Sequence, residues 1–517
     1  MFITTLLQGY QLTHWHVLGA VAALYISGAV VYALLFSPLR GIPGRFITKL
    51  SSAYFGYVTV TGCLADACVD DYYKYGDIYT LTPSLVVLSN PSDCKRVLST
   101  YRYPKSDRYF AFGPLGDTIF STSSADVNRL RRKMIGPAFT HGNLSRMEAV
   151  ILECGVLSIK KKWDEAIESA AGLGSSATVA YDHHLFLAGF EIISTLAFGQ
   201  RSHVLDREET ELLRWHRDTS MLCMVHFGLP FVSMAPFRFL TRKLWQSLHS
   251  IARFSDAATE RRRELLRTCQ IEKPSDILQT MLDAIDPETK ARLTKAEITA
   301  ENVLLLMAGS DTTSLTMTWT MHYLMLYPDV YRRVVDEVRS AFPHDHLITY
   351  AEGRARLPYL EACIYESMRI RGASSLFLPR TVPKGGGTFQ GHFIPEGAQV
   401  GVSIAGLNHN TDVWDNPRRF IPERFISDET AKQKVMTFSS GVRVCPGRNL
   451  AWMEMTTILA NVLKDYDLEL PANSAFGPDR LDEHGNPVPI PDFNAITVGP
   501  KYPHRDCRLV ITRTPVY

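Results

Sequence analysis

Phe438-Ser-Ser-Gly441-Val-Arg443-Val-Cys445-Pro446-Gly447 is the densest run of chemistry in the chain, and a helical pattern over 448–465 starts directly behind it. Gly441 and Gly447 permit φ > 0 and a close backbone approach to a flat ligand. The N–H groups that open a helix favour negative charge, so Cys445 is expected as a thiolate, the form that binds metals. Arg443 offers a planar fork of donors suited to a carboxylate. Upstream, Val303 to Leu315 reads VLLLMAGSDTTSL. Small Gly309 would let a substrate or O2 come near the helix backbone, and Thr312 can bond a carbonyl one turn back. Asp311 beside Thr312 sets an acid next to a hydroxyl, a pair able to deliver protons to a reacting oxygen. Alone, the same stretch reads first as an ordinary apolar helix with a small-residue packing notch.

The cysteine segment resembles the haem-ligand loop of the cytochrome P450 family, F-x-x-G-x-R-x-C-x-G. Five fixed positions make a chance match roughly one in ten thousand at average residue usage. Ala308-Gly309-Ser310-Asp311-Thr312 resembles the family's central-helix pattern, and Glu366-Ser-Met-Arg369 its E-x-x-R. The last is uninformative alone, because Glu211–Arg214, Glu260–Arg263 and Glu264–Arg267 also fit and such pairs are usually solvated. Pro422-Glu423-Arg424-Phe425 follows at family spacing and gives it weight.

The resemblance implies heme b, iron protoporphyrin IX, with Cys445 as axial ligand, a thiolate that assists O–O cleavage. It implies Arg443, Arg380 and Arg131 at the propionates, with Phe438, Gly441, Gly447, Ala308 and Gly309 against the cofactor. Asp311 and Thr312 would be the proton-delivery pair, and Glu366, Arg369 and Arg424 a buried structural triad. Arg131 is reached through a W-x-x-x-R motif in which Val127 stands where Trp or His is usual and donates nothing.

These residues need a scaffold. Helical periodicity covers 125–135, 145–169, 182–198, 208–222, 240–269 and 296–326. Two strands are expected within 78–90, a small-residue loop at Ala170–Ala177, and short strands broken by Pro and Gly between 373 and 405. The fold class is therefore mainly α with small β-sheets, and the resemblance implies the cytochrome P450 fold.

No charged residue precedes Arg40, and residues 17–36 are apolar or small throughout, a match to the hydrocarbon thickness of a bilayer. Without a basic n-region this reads as a retained anchor rather than a cleaved signal. Arg40, Arg45 and Lys49 follow, which favours a cytosolic body. The expected division is a short non-cytosolic N-terminus (1–16), an anchor (17–36), a Pro/Gly hinge (37–49) and a cytosolic catalytic domain (50–517), on the endoplasmic reticulum membrane.

Composition narrows the classes further. The 517 residues are 46% hydrophobic and 21% charged, and 55 basic side chains meet 53 acidic ones, so nothing global points to nucleic acid. The nine cysteines are scattered singly, which argues against a disulfide framework or zinc site; eight are expected as buried, inert packing.

By motif position, Phe110, Phe112, Leu306, Leu376, Phe377 and Ile496 should line an apolar pocket, about half of them serving the core instead. A neutral lipid-like, steroid-like, terpenoid or aromatic substrate is expected, in secondary metabolism or in steroid, terpenoid or xenobiotic conversion. The resemblance implies a monooxygenase inserting one atom of O2, with electrons from NADPH through cytochrome P450 reductase and cytochrome b5 as a second donor. Arg131, Arg132, Lys133, Arg443 and Arg448 would meet an acidic reductase. A thiolate-haem isomerase or dehydratase acting on a peroxide is the competing enzyme, and a haem-binding sensor the non-enzyme. The tail and the PRTVPKGGG segment have a fungal look.

Overall fold

The computed structural model describes residues 14–170, 176–208, 210–234, 236–374, 377–494 and 496–515. Helix α1 (His14–Val31) runs into a π-turn, Tyr32–Phe36. Residues 16–36 have a mean hydropathy of 2.1 and lie almost wholly outside the body, in a helix long and apolar enough to cross a bilayer. The Pro/Gly segment beyond it is fastened down. Leu39 and Ile42 are buried with Ile78, Val86 and Leu88, and the Thr80 N–H donates to the Pro43 carbonyl at 2.8 Å. A Cβ on Gly44 would fall 2.2 Å from Thr80 Oγ1, so only glycine lets the chain cross the strand here.

The body is built on helices α2 (Ala53–Val60), α3 (Leu64–Tyr75), α4 (Pro91–Leu98), α5 (Ala125–Ile135), α6 (Tyr181–Phe198), α7 (Glu211–Gly228), α8 (Arg242–Arg267), α9 (Lys295–Leu326), α10 (Pro358–Arg371) and α11 (Arg448–Asp465). A four-stranded sheet joins β1 (Ile78–Thr82) and β2 (Leu85–Leu88) to later strands. A second, three-stranded antiparallel sheet has β3 (Ser176–Ala180) at one edge. In the first sheet β4 (Phe377–Thr381) lies antiparallel to β5 (Gln399–Ser403), and β5 parallel to β2. In the second, β7 (Arg508–Arg513) lies between β3 and β6 (Tyr466–Glu469).

Two expectations shift locally. The helix read over 145–169 is His141–Ile151 and Ser158–Ala170 joined by a π-turn at Leu152–Leu157. The one read over 208–222 starts at Glu211, because the Thr210 hydroxyl caps the Leu213 N–H, and it runs on to Gly228. Of the small-residue loop, Ser176 and Ala177 belong to β3, while 171–175 lie outside the described residues.

Helix α9 organises the main core. A capping box between Thr294 and Glu297 starts it, and most of its 32 residues are buried. Leu304, Met307, Ala308, Asp311, Thr312 and Leu315 break that pattern as an accessible stripe at i, i+3, i+4 spacing. On another face α6 crosses closely: a Cβ on Gly309 would sit 2.7 Å from Ile193 Cγ1. Gly309 is thus small for helix packing, and it is also part-exposed beside the stripe.

Glu366 and Arg369 are fully buried on α10. Arg369 Nε donates to Glu366 Oε2 at 2.7 Å and Nη2 to Oε1 at 2.8 Å, while Arg424 Nε reaches Oε1 at 3.1 Å. Arg369 also donates to the carbonyls of Asn408, Pro417 and Arg419, which ties α10 to the loop leading to the cysteine segment. Removing one member strands a buried charge. Glu366→Ala is expected to lower unfolding free energy by about 3–5 kcal/mol in denaturant titrations of the full chain. An unchanged midpoint would mean that the cluster does not hold this region together.

Candidate active site

The cysteine loop is shaped by its neighbours. Gly441 has φ +70°, and a Cβ there would lie 2.2 Å from the Leu98 carbonyl at the end of α4. Gly447 has an ordinary φ of −78°, which corrects the expectation of a left-handed residue; a Cβ there would come 3.9 Å from Cys445 Sγ. The Cys445 N–H donates to the Phe438 carbonyl at 3.0 Å, closing the loop. Burial pushes the Cys445 thiol up. The N–H groups of Gly447 and Arg448 and the charges of Arg132 and Arg448 pull it back down.

Four cations from four segments converge beside this loop. Arg443, on the loop itself, donates to the carbonyls of Thr122 (3.0 Å) and Ser123 (3.2 Å). Arg380, on β4, donates to Tyr109 Oη at 3.1 Å. Lys105 lies over the rings of Tyr109 and Phe120 and donates to the Phe120 carbonyl. Arg132, on α5, donates to the Val444 carbonyl, next to Cys445. Burial, then the charges of Arg380, Arg443 and Arg132, depress Lys105 well below an ordinary lysine. Arg443 is pushed down to about 10 by burial and then by Arg380.

None of the four pairs with a carboxylate among the described residues; their partners are carbonyls and a phenol. Buried like charges with only neutral partners are costly unless an anion joins them. A flat group carrying two carboxylates and a metal that takes a thiolate fits this donor set. Residues of these types could hold haem.

Arg131 is not part of that set. It is buried, with Nη2 2.6 Å from Glu297 Oε1 and Nε 3.4 Å from Glu301 Oε1 on α9. Successive helical residues point about 100° apart, so the side chain turned to the cysteine loop is Arg132, with Asn128 one turn before it. Asn128 accepts from Tyr101 Oη at 3.0 Å and donates to the Ile119 carbonyl at 2.8 Å. The expected basic docking face is reduced by the same geometry. Arg131, Arg132 and Arg443 turn inward; Lys133 and Arg448 are exposed, and Lys133 pairs with Asp286 and Glu288.

On the open stripe of α9, the Thr312 hydroxyl donates to the Ala308 carbonyl at 2.6 Å. Asp311 Oδ1 lies 3.3 Å from Nε2 of His216, a buried residue of α7 that also lies 3.5 Å from Ser310 Oγ. No motif marks His216; its position becomes visible only when α7 packs on α9. A small cavity lies beside the stripe, lined by Phe112, Leu115, Thr219, Val303, Leu304 and Met307 among others.

The expected pocket residues divide. Phe112 lines the cavity, and half-buried Ile496 packs on the cluster around Phe55. Phe110 points outward at 68% exposure, and Leu306 is fully buried in the main core, so neither lines the pocket. Phe377 is buried edge-on to Phe55, their ring centroids 5.8 Å apart. Leu376 lies outside the described residues. All nine cysteines are free, but Cys63 and Cys269 are exposed rather than packed inside.

The family model for cytochrome P450 matches residues 55–483. Cytochrome P450 monooxygenase helB2 of Aspergillus fumigatus is 39% identical over 95% of this chain and 97% of its own length. Cytochrome P450 monooxygenase helB1 of the same fungus is 39% identical over 96% of this chain and 86% of its own. Among solved structures, the cytochrome P450DA heme domain superposes with a TM-score of 0.75 at 20% identity, covering 90% of this chain and 95% of its own. The fold, the matched span and the fungal relatives agree: this chain belongs to the cytochrome P450 family and is a monooxygenase of fungal type.

Proposed function

We propose that this enzyme oxidises a hydrophobic small molecule at a haem held by Cys445, inserting one oxygen atom from O2 with electrons from an NADPH-dependent reductase. The observation that carries this reading is the set of four carboxylate-free cations around a cysteine thiol. Lys105, Arg132, Arg380 and Arg443 would hold the propionates, Lys105 serving where the motif's Trp is missing. Bound there, haem b supplies O2 activation and the oxidation of a C–H bond.

The protein's part is to position groups and move protons. The Thr312 hydroxyl, its proton on the Ala308 carbonyl, turns its oxygen lone pairs to the open stripe. Asp311, about a quarter exposed, can exchange protons with solvent, and His216 fixes its Oδ1 from the buried side. Protonated from solvent, Asp311 can turn from His216 toward the Thr312 oxygen, give up that proton there and return as the carboxylate. Phe112, Leu304 and Met307 keep the neighbouring space apolar and limit water. The domain division 1–16, 17–36, 37–49 and 50–517 stands as part of the proposal, with α1 anchoring the body to the endoplasmic reticulum membrane. Exposed Phe231, Met234, Phe237, Phe239 and Leu240 add a second apolar surface suited to the same bilayer.

Three tests follow from these roles. The reduced, CO-bound protein is expected to absorb at the thiolate-haem position, and Cys445→Ala to abolish that band; a nitrogen-ligand spectrum in the unaltered protein would overturn the axial assignment. Thr312→Ala is expected to keep NADPH consumption while product per NADPH falls by on the order of 10²-fold. Full coupling in that variant would remove Thr312 from proton delivery. His216→Phe should give a smaller loss that His216→Asn partly restores, since Asn retains a donor for Asp311.

A further inference from the structure

Arg108 is a cation that neither the haem reading nor the fold uses. It sits in the 3-10 helix Asp107–Phe112, where residues three apart eclipse. Tyr109 and Phe112 take one side and pack on Phe120, with ring centroids 5.5 and 5.3 Å away. Arg108 and Ala111 take the adjacent side, where Ala111 is buried with Phe55, Phe227 and Phe377. The Arg108 guanidinium carbon lies 4.4 Å from the Phe55 ring centroid. Phe55 meets Phe227 edge-on at 5.8 Å, and Phe227 meets Phe112 at 5.5 Å, which brings the wall to the small cavity that Phe112 lines.

Other cations near this wall are answered. Arg45 pairs with Asp71 at 2.8 Å, and Arg371 with Asp66 at 2.9 Å and Asp492 at 2.5 Å. Arg108 has no hydrogen-bond acceptor and no carboxylate partner among the described residues, and its Nε is shut away from water. Burial lowers its pKa, with no nearby charge as a further cause. A guanidinium held by one face on an aromatic ring keeps its planar edge free, and that edge matches a carboxylate with two parallel N–H···O bonds.

We propose that Arg108 is an anion subsite of the substrate channel, and that the substrate is a largely apolar molecule bearing a carboxylate. This rests on the monooxygenase reading and deepens it, replacing the neutral substrate expected from composition. With the acid end at Arg108 and the apolar body along Phe112 toward Ala308 and Thr312, oxidation falls at a carbon remote from the acid.

The test uses the haem-loaded full chain and four matched probe pairs: dodecanoate, adamantane-1-carboxylate, abietate and lithocholate, each with its methyl ester. Binding is read by equilibrium dialysis and by the spectral shift of the haem. Acids are expected to bind about 10- to 100-fold more tightly than their esters, the range of a charge-assisted hydrogen bond. Arg108→Gln should abolish that preference while leaving ester affinity and the CO band unchanged, and Arg108→Lys should restore part of it. The inference is overturned if no acid outbinds its ester, or if the preference survives in Arg108→Gln. Loss of the thiolate CO band in the unaltered protein would instead count against the haem reading, so the two failures are distinct.

Discussion

Holding Lys105, Arg132, Arg380 and Arg443 together away from carboxylates is the constraint around which the catalytic face is organised. They come from a loop, a helix, a strand and the cysteine segment, so their convergence depends on the packing of the whole body. Neutral dipoles hold them, namely the carbonyls of Phe120, Val444, Thr122 and Ser123 and the Tyr109 phenol. Carbonyls solvate a cation without cancelling its charge, and the field therefore stays available to an incoming anion. It also reaches Cys445, where Arg132 opposes the burial that would keep the thiol protonated. The arrangement that would receive an acidic, flat group also acts on the thiol, lowering the cost that burial sets on its charged form.

Helix α9 resolves a second conflict. A helix that threads the core must be apolar on nearly all sides, yet this one must also present an acid and a hydroxyl. Gly309 lets α6 come within contact distance on one face, while Ala308 and Thr312 open on another. The Asp311 carboxylate flanks that open face and is held by a histidine from a different helix. Rigidity on the packed face is what makes the position of the open face reproducible.

Much of this was legible in the residues. The cysteine loop and the span of α11 could be read because Gly, Arg, Cys and Pro at fixed offsets leave few conformations. The Glu366, Arg369 and Arg424 cluster could be read only with its spacing. Arg131 and Arg132 could not be separated, since both are arginines in one run and a step of about 100° decides which faces inward. Lys105 and His216 belong to no local pattern and acquire partners only through contacts distant in sequence. Phe110 and Leu306 failed as pocket residues because pockets and cores draw on the same side chains.

Two populations of buried or half-buried charges stand out among the described residues, with different uses. Arg369 with Glu366, Arg262 with Asp276, Arg371 with Asp492 and Arg131 with Glu297 are closed pairs; the first lies within α10 and the other three each bind one chain segment to another. In these the protein supplies both signs, so the charge of each group is answered from within. Arg443, Arg380, Arg132, Lys105 and Arg108 rest on carbonyls, hydroxyls or rings. Such contacts orient a cation while leaving its charge unanswered. Stability and recognition are thereby assigned to different residues: the closed pairs specify the fold, and the open cations specify what the fold is built to receive.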